Sequence, residues 1–450
     1  MKQSLLMLCI LGASLAASSQ DKNFDLSNYK FPDYKLHSLE FNFNSDGNSF
    51  SRSTDTPSST GDGSTLKENY LDSRFNSAIN LGLGYDNFTR KRIGHIYSTL
   101  AGTYGYGKYT SNQMTEKAYG PYGNLILNGY RRYYVKEDKF FLEASTDLNY
   151  NYSESKHTYT NSVDQRSKDD YLSLSFGLGG GIGRMEKVSD LWQAYFILEK
   201  LKKQNTITRE LTDKDIYEFA TRASLLKNKR FFDARLRKIG ELQSLDTLLH
   251  KQGLIENSDM AYFVTLNDYW SYGNFQDRES GRLLKIWIMP EYTRTYSKSV
   301  DNTSSLSTTT NLDPNISFNC TKQINLYWER FFNIAFEDII TLDNTGKYAA
   351  HYPKNRINTG VQFGFGFYPD SRTSLKLLGG YSGYEGLYYN GEIATKEWAN
   401  NFNLSLNGVY YVSPQLQLTA VCRLNHNTAD HNNETYKIFN YNIGLRYAIF

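Results

Sequence analysis

The 450-residue chain carries 50 Lys and Arg against 47 Asp and Glu, a net charge of +3 that gives no bulk reason to bind nucleic acid. It is rich in Tyr (37) and Phe (26) and poor in Pro (8), a bias toward pleated, half-buried surfaces and lipid–water interfaces. Three cysteines are too few for a disulfide scaffold, and after the first twenty residues no run of about 18 apolar residues is left to make a spanning helix.

Residues 1–20 read as an export signal. Lys2 is the basic start, residues 5–11 (LLMLCIL) the apolar core and residues 13–19 (ASLAASS) the small-residue cleavage zone. Cleavage near Ser19 or Gln20 leaves a start at Asp21, and residues 21–35 form a polar periplasmic segment. Cys9 sits inside the apolar core after Leu8, which is not lipoprotein grammar, so Cys320 and Cys422 remain as two free thiols.

From Leu39 the period becomes two: Leu39, Phe41 and Phe43 alternate with Glu40, Asn42 and Asn44. Residues 46–67, rich in Ser, Thr, Gly and Asp, read as a long loop. A second strand sets Phe75, Ile79, Leu81 and Leu83 against Asp72, Arg74, Asn76 and Asn80; a third covers 95–109. After a loop at 111–117 come a fourth at 119–134 and a tight turn at 136–138. The fifth alternates Phe140, Leu142, Ala144 and Leu148 with Phe141, Glu143, Ser145 and Asp147. A charged loop at 154–169 precedes the sixth, which carries Leu172, Leu174, Phe176, Leu178 and Ile182.

The grammar then changes. Val188, Leu191, Tyr195, Leu198 and Leu201 recur at three and four, the period of an amphipathic helix, with Ser189 as its expected N-cap. A second helix should start at Thr212, a third should run over 232–250 and stop at Gly253, and a fourth should cover 259–270. Residues 185–280 are therefore expected to be a helical module on the periplasmic side, set between barrel segments 36–184 and 281–450.

Strands resume with Leu284, Ile286 and Ile288, where Pro290 predicts a bulge or a strand edge. An eighth at 308–319 is weakened by Pro314; six more follow at 324–342, 357–368, 373–388, 398–412, 416–427 and 436–450. Short turns at 369–372 and 413–415 alternate with longer loops at 344–355, 390–395 and 428–435. The expected fold is an all-β transmembrane antiparallel β-barrel of about 14 strands with an inserted α-helical periplasmic module.

By its last strand, with Phe439, Tyr441, Ile443, Leu445 and Tyr447 on one face and Phe450 at the end, the chain resembles a Gram-negative outer-membrane β-barrel protein. The insert segment 231–246 (FFDARLRKIGELQSLD) resembles inserts in exported barrel proteins of unassigned function. The resemblance implies an outer-membrane address, contact with outer-membrane lipid, and a last strand read by the barrel-insertion machinery. Strict alternation puts Ile449 rather than Phe450 in line with Tyr447, one residue off the usual parity.

A charge facing lipid at mid-depth costs about 2–4 kcal/mol for Arg or Lys, so Glu40, Arg74, Glu143, Asp147, Glu329 and Arg446 are expected to face the lumen. Seven His are scattered; His426, Asp430 and His431 are the sole grouping that suggests a metal, and a solvated loop is the plainer reading. The glycines at 177, 179, 180, 181 and 183 fail the GxGxxG spacing and read as the pleat of a curved strand. No catalytic residue or cofactor is implied. The expected role is a channel or transporter for small solutes. The rivals are an anchor whose helical module docks another envelope component, and an outer-membrane hydrolase.

Overall fold

The computed structural model describes residues 26–57, 65–110, 115–136, 139–160, 162–228, 234–272, 278–299, 303–346, 353–390, 393–413, 416–430 and 434–447. Six strands come first: β1 (Tyr34–Pro57), β2 (Thr65–Phe88), β3 (Arg92–Thr110), β4 (Thr115–Lys136), β5 (Phe140–Tyr159) and β6 (Ser162–Lys187). Four helices follow: α1 (Ser189–Lys203), α2 (Asp213–Asn228), α3 (Ala234–Lys251) and α4 (Met260–Tyr272). Eight more strands complete the chain. They are β7 (Glu279–Lys298), β8 (Ser304–Gln323), β9 (Trp328–Thr345), β10 (Pro353–Asp370), β11 (Thr373–Asn390), β12 (Ile393–Tyr411), β13 (Leu416–Ala429) and β14 (Glu434–Tyr447).

All fourteen strands form one antiparallel sheet in sequence order, each paired with its chain neighbours. This is the up-and-down meander of a transmembrane β-barrel, with β1 and β14 as its two seam strands. Among the described residues no ladder joins the two, and both are exposed along most of their length on either face.

Alternation fixes the faces. On β5, Phe140 and Leu142 are 57% and 63% exposed while Phe141 and Glu143, which alternate with them, are buried. Leu39, Phe41, Ile79, Leu83, Phe402, Leu406 and Leu424 extend the exposed apolar row around the sheet. A water-soluble surface does not carry an apolar area that continuous; a lipid-facing one does.

Strands of 14 to 26 residues are longer than the roughly 10 a bilayer needs. Here the structure corrects the loops expected from composition. Residues 46–57 and 65–67 continue β1 and β2 as a paired hairpin ending at Pro57–Thr65, and residues 154–159 and 162–169 do the same for β5 and β6. The loops expected at 111–117, 344–355, 390–395 and 428–435 likewise shrink to short connections. A backbone ladder needs no particular side chains, and above the lipid both faces are polar. Alternation therefore vanishes where pairing does not.

The prolines act differently from expectation. At Pro290 no bulge forms: the β6–β7 ladder skips from Ser175–Glu291 to Leu178–Ile288 in unchanged register. Pro314 leaves the same gap between Leu312–Ile340 and Asn315–Glu337 in the β8–β9 ladder, and Pro121 between Tyr119–Lys156 and Tyr122–Ser153. A missing N–H removes one rung on one side, and the ladder on the other side holds the strand straight. The ninth strand starts at Trp328 rather than 324, because Asn325 Oδ1 accepts the N–H groups of Tyr327 and Trp328 and makes a turn there.

Of the helix signals, Thr212 caps α2 as expected. Its hydroxyl accepts from the Asp215 N–H at 3.3 Å, while its own N–H donates to Asp215 Oδ2 at 2.9 Å. At the end of α3, Gly253 takes φ +64° and the Leu254 N–H reaches Leu249 O, a left-handed stop. Asp259 Oδ1 accepts from Tyr262 N at the start of α4. Ser189 is not a cap. It is the first helical residue, and its hydroxyl bonds the backbone of Arg278, tying the two ends of the helical module together. The expected export signal at residues 1–20, the first five residues of segment 21–35 and the last three residues of the chain lie outside the described residues.

Candidate functional site at the turn end of the barrel

The even-numbered hairpin connections (β2–β3, β4–β5, β8–β9, β10–β11 and β12–β13) lie at one end of the sheet, together with both junctions of the helical module. The buried apolar residues of the strands and turns gather there too. Phe88, Ile93, Tyr134, Phe141, Leu283, Leu326 and Tyr368 join Leu191, Trp192, Ile197, Leu198, Leu201, Phe219, Leu245 and Leu266 of the helices in one core. The helical module is thus packed onto the mouth.

Its contacts run from side to side of that mouth. Arg90, in the β2–β3 turn, donates to Phe31 O at 3.1 Å, and its N–H reaches Asp33 Oδ1. From there Tyr29 stacks on Tyr217 of α2 at 6.4 Å and bonds Ser224, which donates to Asp190 of α1. Burial pushes the Tyr29 hydroxyl far above the ordinary tyrosine range, so it stays a neutral donor. Trp192 and Phe196 of α1 then meet Tyr368 and Tyr327 edge-on, each at 6.0 Å. Finally Asp268 of α4 pairs with Arg372 at 2.6 Å, and Tyr272 meets Tyr411.

Beneath these contacts the barrel wall is lined by compensated charge. Glu143 takes Arg132 at 2.7 Å and Lys285 at 2.7 Å, and Arg132 also lies 4.4 Å over Phe141. Glu186 holds Arg90 and Arg184, and the Arg184 guanidinium donates to Arg90 O and Thr89 O, pinning the β2–β3 turn. Arg278 is fully buried. It donates to Leu326 O at 2.6 Å and to Gln323 Oε1, faces Glu329 at 3.5 Å, and lies 4.4 Å over Tyr368. Desolvation pulls its pKa down, and Glu329 opposes that shift.

Two glycines make room for this layer. A Cβ on Gly366 would stand 2.8 Å from both the Glu329 side chain and the Tyr368 ring. A Cβ on Gly181 would stand 2.0 Å from Leu284 O and 2.6 Å from the Phe141 ring. The glycine run of β6 therefore serves packing, as its failed phosphate-loop spacing suggested.

Of the six charges assigned to the lumen, the structure gathers two. Glu143 and Glu329 are buried at the mouth, within the clusters above. Asp147 lies further along β5, opposite Ser175. Arg74 pairs with Asp72 on its own strand at 3.0 Å and is largely solvated, and Glu40 and Arg446 are exposed on the seam strands. Sequence reasoning missed Arg132, Lys285, Arg184 and Arg278. The first two share the inward parity of a strand and were legible; Arg184 and Arg278 stand at the helical module's borders, where no period applies.

His426 sits on β13 against the Phe402 ring, Asp430 follows the strand with its N–H on Trp398 O, and His431 lies outside the described residues. Among the described residues no group of His, Cys, Asp or Glu converges to hold a metal ion. Cys320 and Cys422 are free thiols. Near the end of α3, Ser258 donates to Asp246 at 2.8 Å and contacts His250 Nε2 at 2.9 Å, and that same nitrogen is the one nearest Asp246. A hydrolytic triad needs the acid on the other ring nitrogen, so the cluster does not have that geometry.

No protein-family model matches the chain, and no curated protein does. Solved structures give distant likenesses. The ferric yersiniabactin uptake receptor FyuA from Yersinia pestis is 7% identical over 90% of this chain, with a TM-score of 0.38, and the chain spans 62% of that receptor. The transport unit of the autotransporter AIDA-I from Escherichia coli is 10% identical over 89% of this chain and 96% of its own, at 0.26. OpdQ from Pseudomonas aeruginosa is 7% identical over 92% and 96%, at 0.24. None of the three reaches a TM-score of 0.5, so they carry nothing about cargo or activity.

Proposed function

We propose that the chain is an outer-membrane channel for small solutes, its turn end in the periplasm and closed by the helical module. One observation carries this reading: the helical module, with residues 26–33, touches turns β2–β3 and β8–β9 at once. Those turns are six strands apart in a sheet of fourteen, close to opposite sides of a closed barrel. Fourteen strands fall between barrels that side chains fill and those that leave an aqueous channel, so a bore blocked at one end fits the geometry. An inward wall of polar side chains under an outward apolar band suits a water-filled conduit.

The test is conductance in a planar bilayer. The full chain should be closed for most of the record, and a variant with residues 189–277 replaced by a short linker should conduct steadily. If neither form conducts, the channel reading fails.

A second reading, an anchored platform that docks another envelope component, draws on Ile239, Met260 and Val264. These apolar side chains on α3 and α4 are 69%, 78% and 58% exposed. A pull-down with the full chain that loses a specific partner on Val264→Ser and Met260→Ser would favour it.

A further inference from the structure

The inner faces of β7, β8 and β9 hold acids of another kind from those at the mouth. Glu291, Asp313 and Glu337 share the parity of Lys285, Gln323 and Glu329 on their respective strands, so they point inward. Glu291 lies opposite Asn311 and Glu337 opposite Asn315, with Asp313 between the two amides on β8. Each glutamate is then a diagonal neighbour of Asp313, about 7–8 Å away between backbones. Asp147 extends the row through Ser175, which faces Glu291.

None of these acids is ion-paired among the described residues. Glu291 accepts from Ser173 at 3.0 Å and Asn311 at 3.5 Å; Glu337 accepts from Asn315 at 3.3 Å and Asn358 at 2.7 Å. All four donors are neutral. Among the described residues no Lys or Arg stands within ion-pair distance of Asp147, Glu291, Asp313 or Glu337, whereas Glu143 and Glu329 are both matched. Arg356, on the same face of β10 as Asn358 and diagonal to Glu337, is near enough to act on Asp313 but makes no ion pair with any of them, which leaves one guanidinium for three acids.

Two further facts point to a ligand. Asp313 is 3% exposed, yet its Oδ1 has no hydrogen-bond partner, and the Oδ1 of neighbouring Asn315 has none either. Thr309, Asn311 and Ser317 on the same face of β8 are also buried, so these orphans lie within a row of buried polar side chains on the inward face. Both of these orphan atoms are acceptors, and a buried carboxylate with no ion pair is costly unless a cation, a donor or a proton joins it. No group of residues there converges tightly enough for a metal ion. An ammonium group, with positive charge and three N–H donors, answers both needs at once.

We propose that this inward acidic row selects small solutes bearing a primary ammonium group. The inference rests on the channel reading and names its cargo class. The test is the reversal potential of full-length protein, with Arg372→Ala to raise its open probability, in methylammonium chloride, sodium chloride and mixed gradients. Methylammonium should permeate about tenfold or more over chloride and measurably over sodium, as rings of acids impose in cation channels. The preference over chloride should fall toward one in the Glu291→Gln, Asp313→Asn, Glu337→Gln triple variant, and partway in Asp313→Asn alone if the triple does not fold.

Equal passage of methylammonium and chloride, or a preference that survives the variants, overturns this proposal and leaves the channel reading intact. Sodium passing as well as methylammonium overturns the ammonium assignment. A protein silent in every form overturns both.

Discussion

The guanidinium of Arg278 lies 4.4 Å from the centre of the Tyr368 ring, and the hydroxyl of that same tyrosine donates to Glu329, the carboxylate Arg278 faces. One side of the charge is screened by an aromatic face and the other is matched by an acid. Removing one partner strands the other in a dry place. Arg278→Ala should destabilise the folded chain by about 3–5 kcal/mol, and Arg278→Met with Glu329→Gln should recover much of that. Denaturant titration in detergent micelles measures both. Equal losses in the single and double variants would deny the coupling.

Glu143 makes a second such centre, with Arg132 and Lys285 both on its carboxylate. Glu143→Gln is expected to cost about 3–5 kcal/mol, whereas breaking the solvated Arg74–Asp72 pair with Asp72→Asn should cost about 0–1 kcal/mol. Placed side by side in one titration, the two variants separate a buried pair from an exposed one.

At the start of α2, the Arg209 guanidinium, with the Thr212 hydroxyl and N–H, holds the Asp215 carboxyl well below the usual carboxylate range. A depressed folded pKa means that the stabilisation is complete above the unfolded value, about 3.9, and is lost as pH falls through the folded one. Helical content of the helical module should therefore hold from neutral pH to about pH 4 and decline below it. Asp215→Asn should flatten that decline, and Thr212→Ala should cost about 1 kcal/mol at neutral pH. Circular dichroism at 222 nm across the pH range is the readout. A decline of unchanged steepness in Asp215→Asn would remove Asp215 as its source.

Face assignment is testable on one strand. Ile79 is half exposed on the apolar side of β2, and Asn80 stands beside it on the polar side. Ile79→Lys should impair folding into lipid vesicles by about 2–4 kcal/mol, and Asn80→Lys should cost far less. The fraction of protein showing heat-modifiable mobility on gels after folding reports the difference. The reverse order would turn the barrel inside out.

How much of this was legible in the residues follows from where a period exists. Within the lipid, alternation such as Phe140–Phe141–Leu142–Glu143 is imposed by two solvents, so strand number and facing could be read directly. Beyond the lipid, residues 46–57 pair with 65–76 through backbone alone, and polar side chains on both faces gave no sign of it. The helices were legible through stripe and cap, as at Thr212, but Ser189 shows that a cap residue in the right place can serve a tertiary contact instead. The inward charges Glu143 and Glu329 could be read from parity. Their partnership with Arg132, Lys285 and Arg278 depends on strands that meet only in the folded sheet, and no spacing within one strand encodes it.

The central claim is that the helical module stands across the mouth of a continuous bore. Single-channel recording of the full chain beside the chain with residues 189–277 replaced by a linker tests it most directly. The account predicts a mostly closed record for the first and a steady open level for the second, with Asp268→Ala and Arg372→Ala opening more often than the parent. Identical conductance with and without the helical module would contradict it.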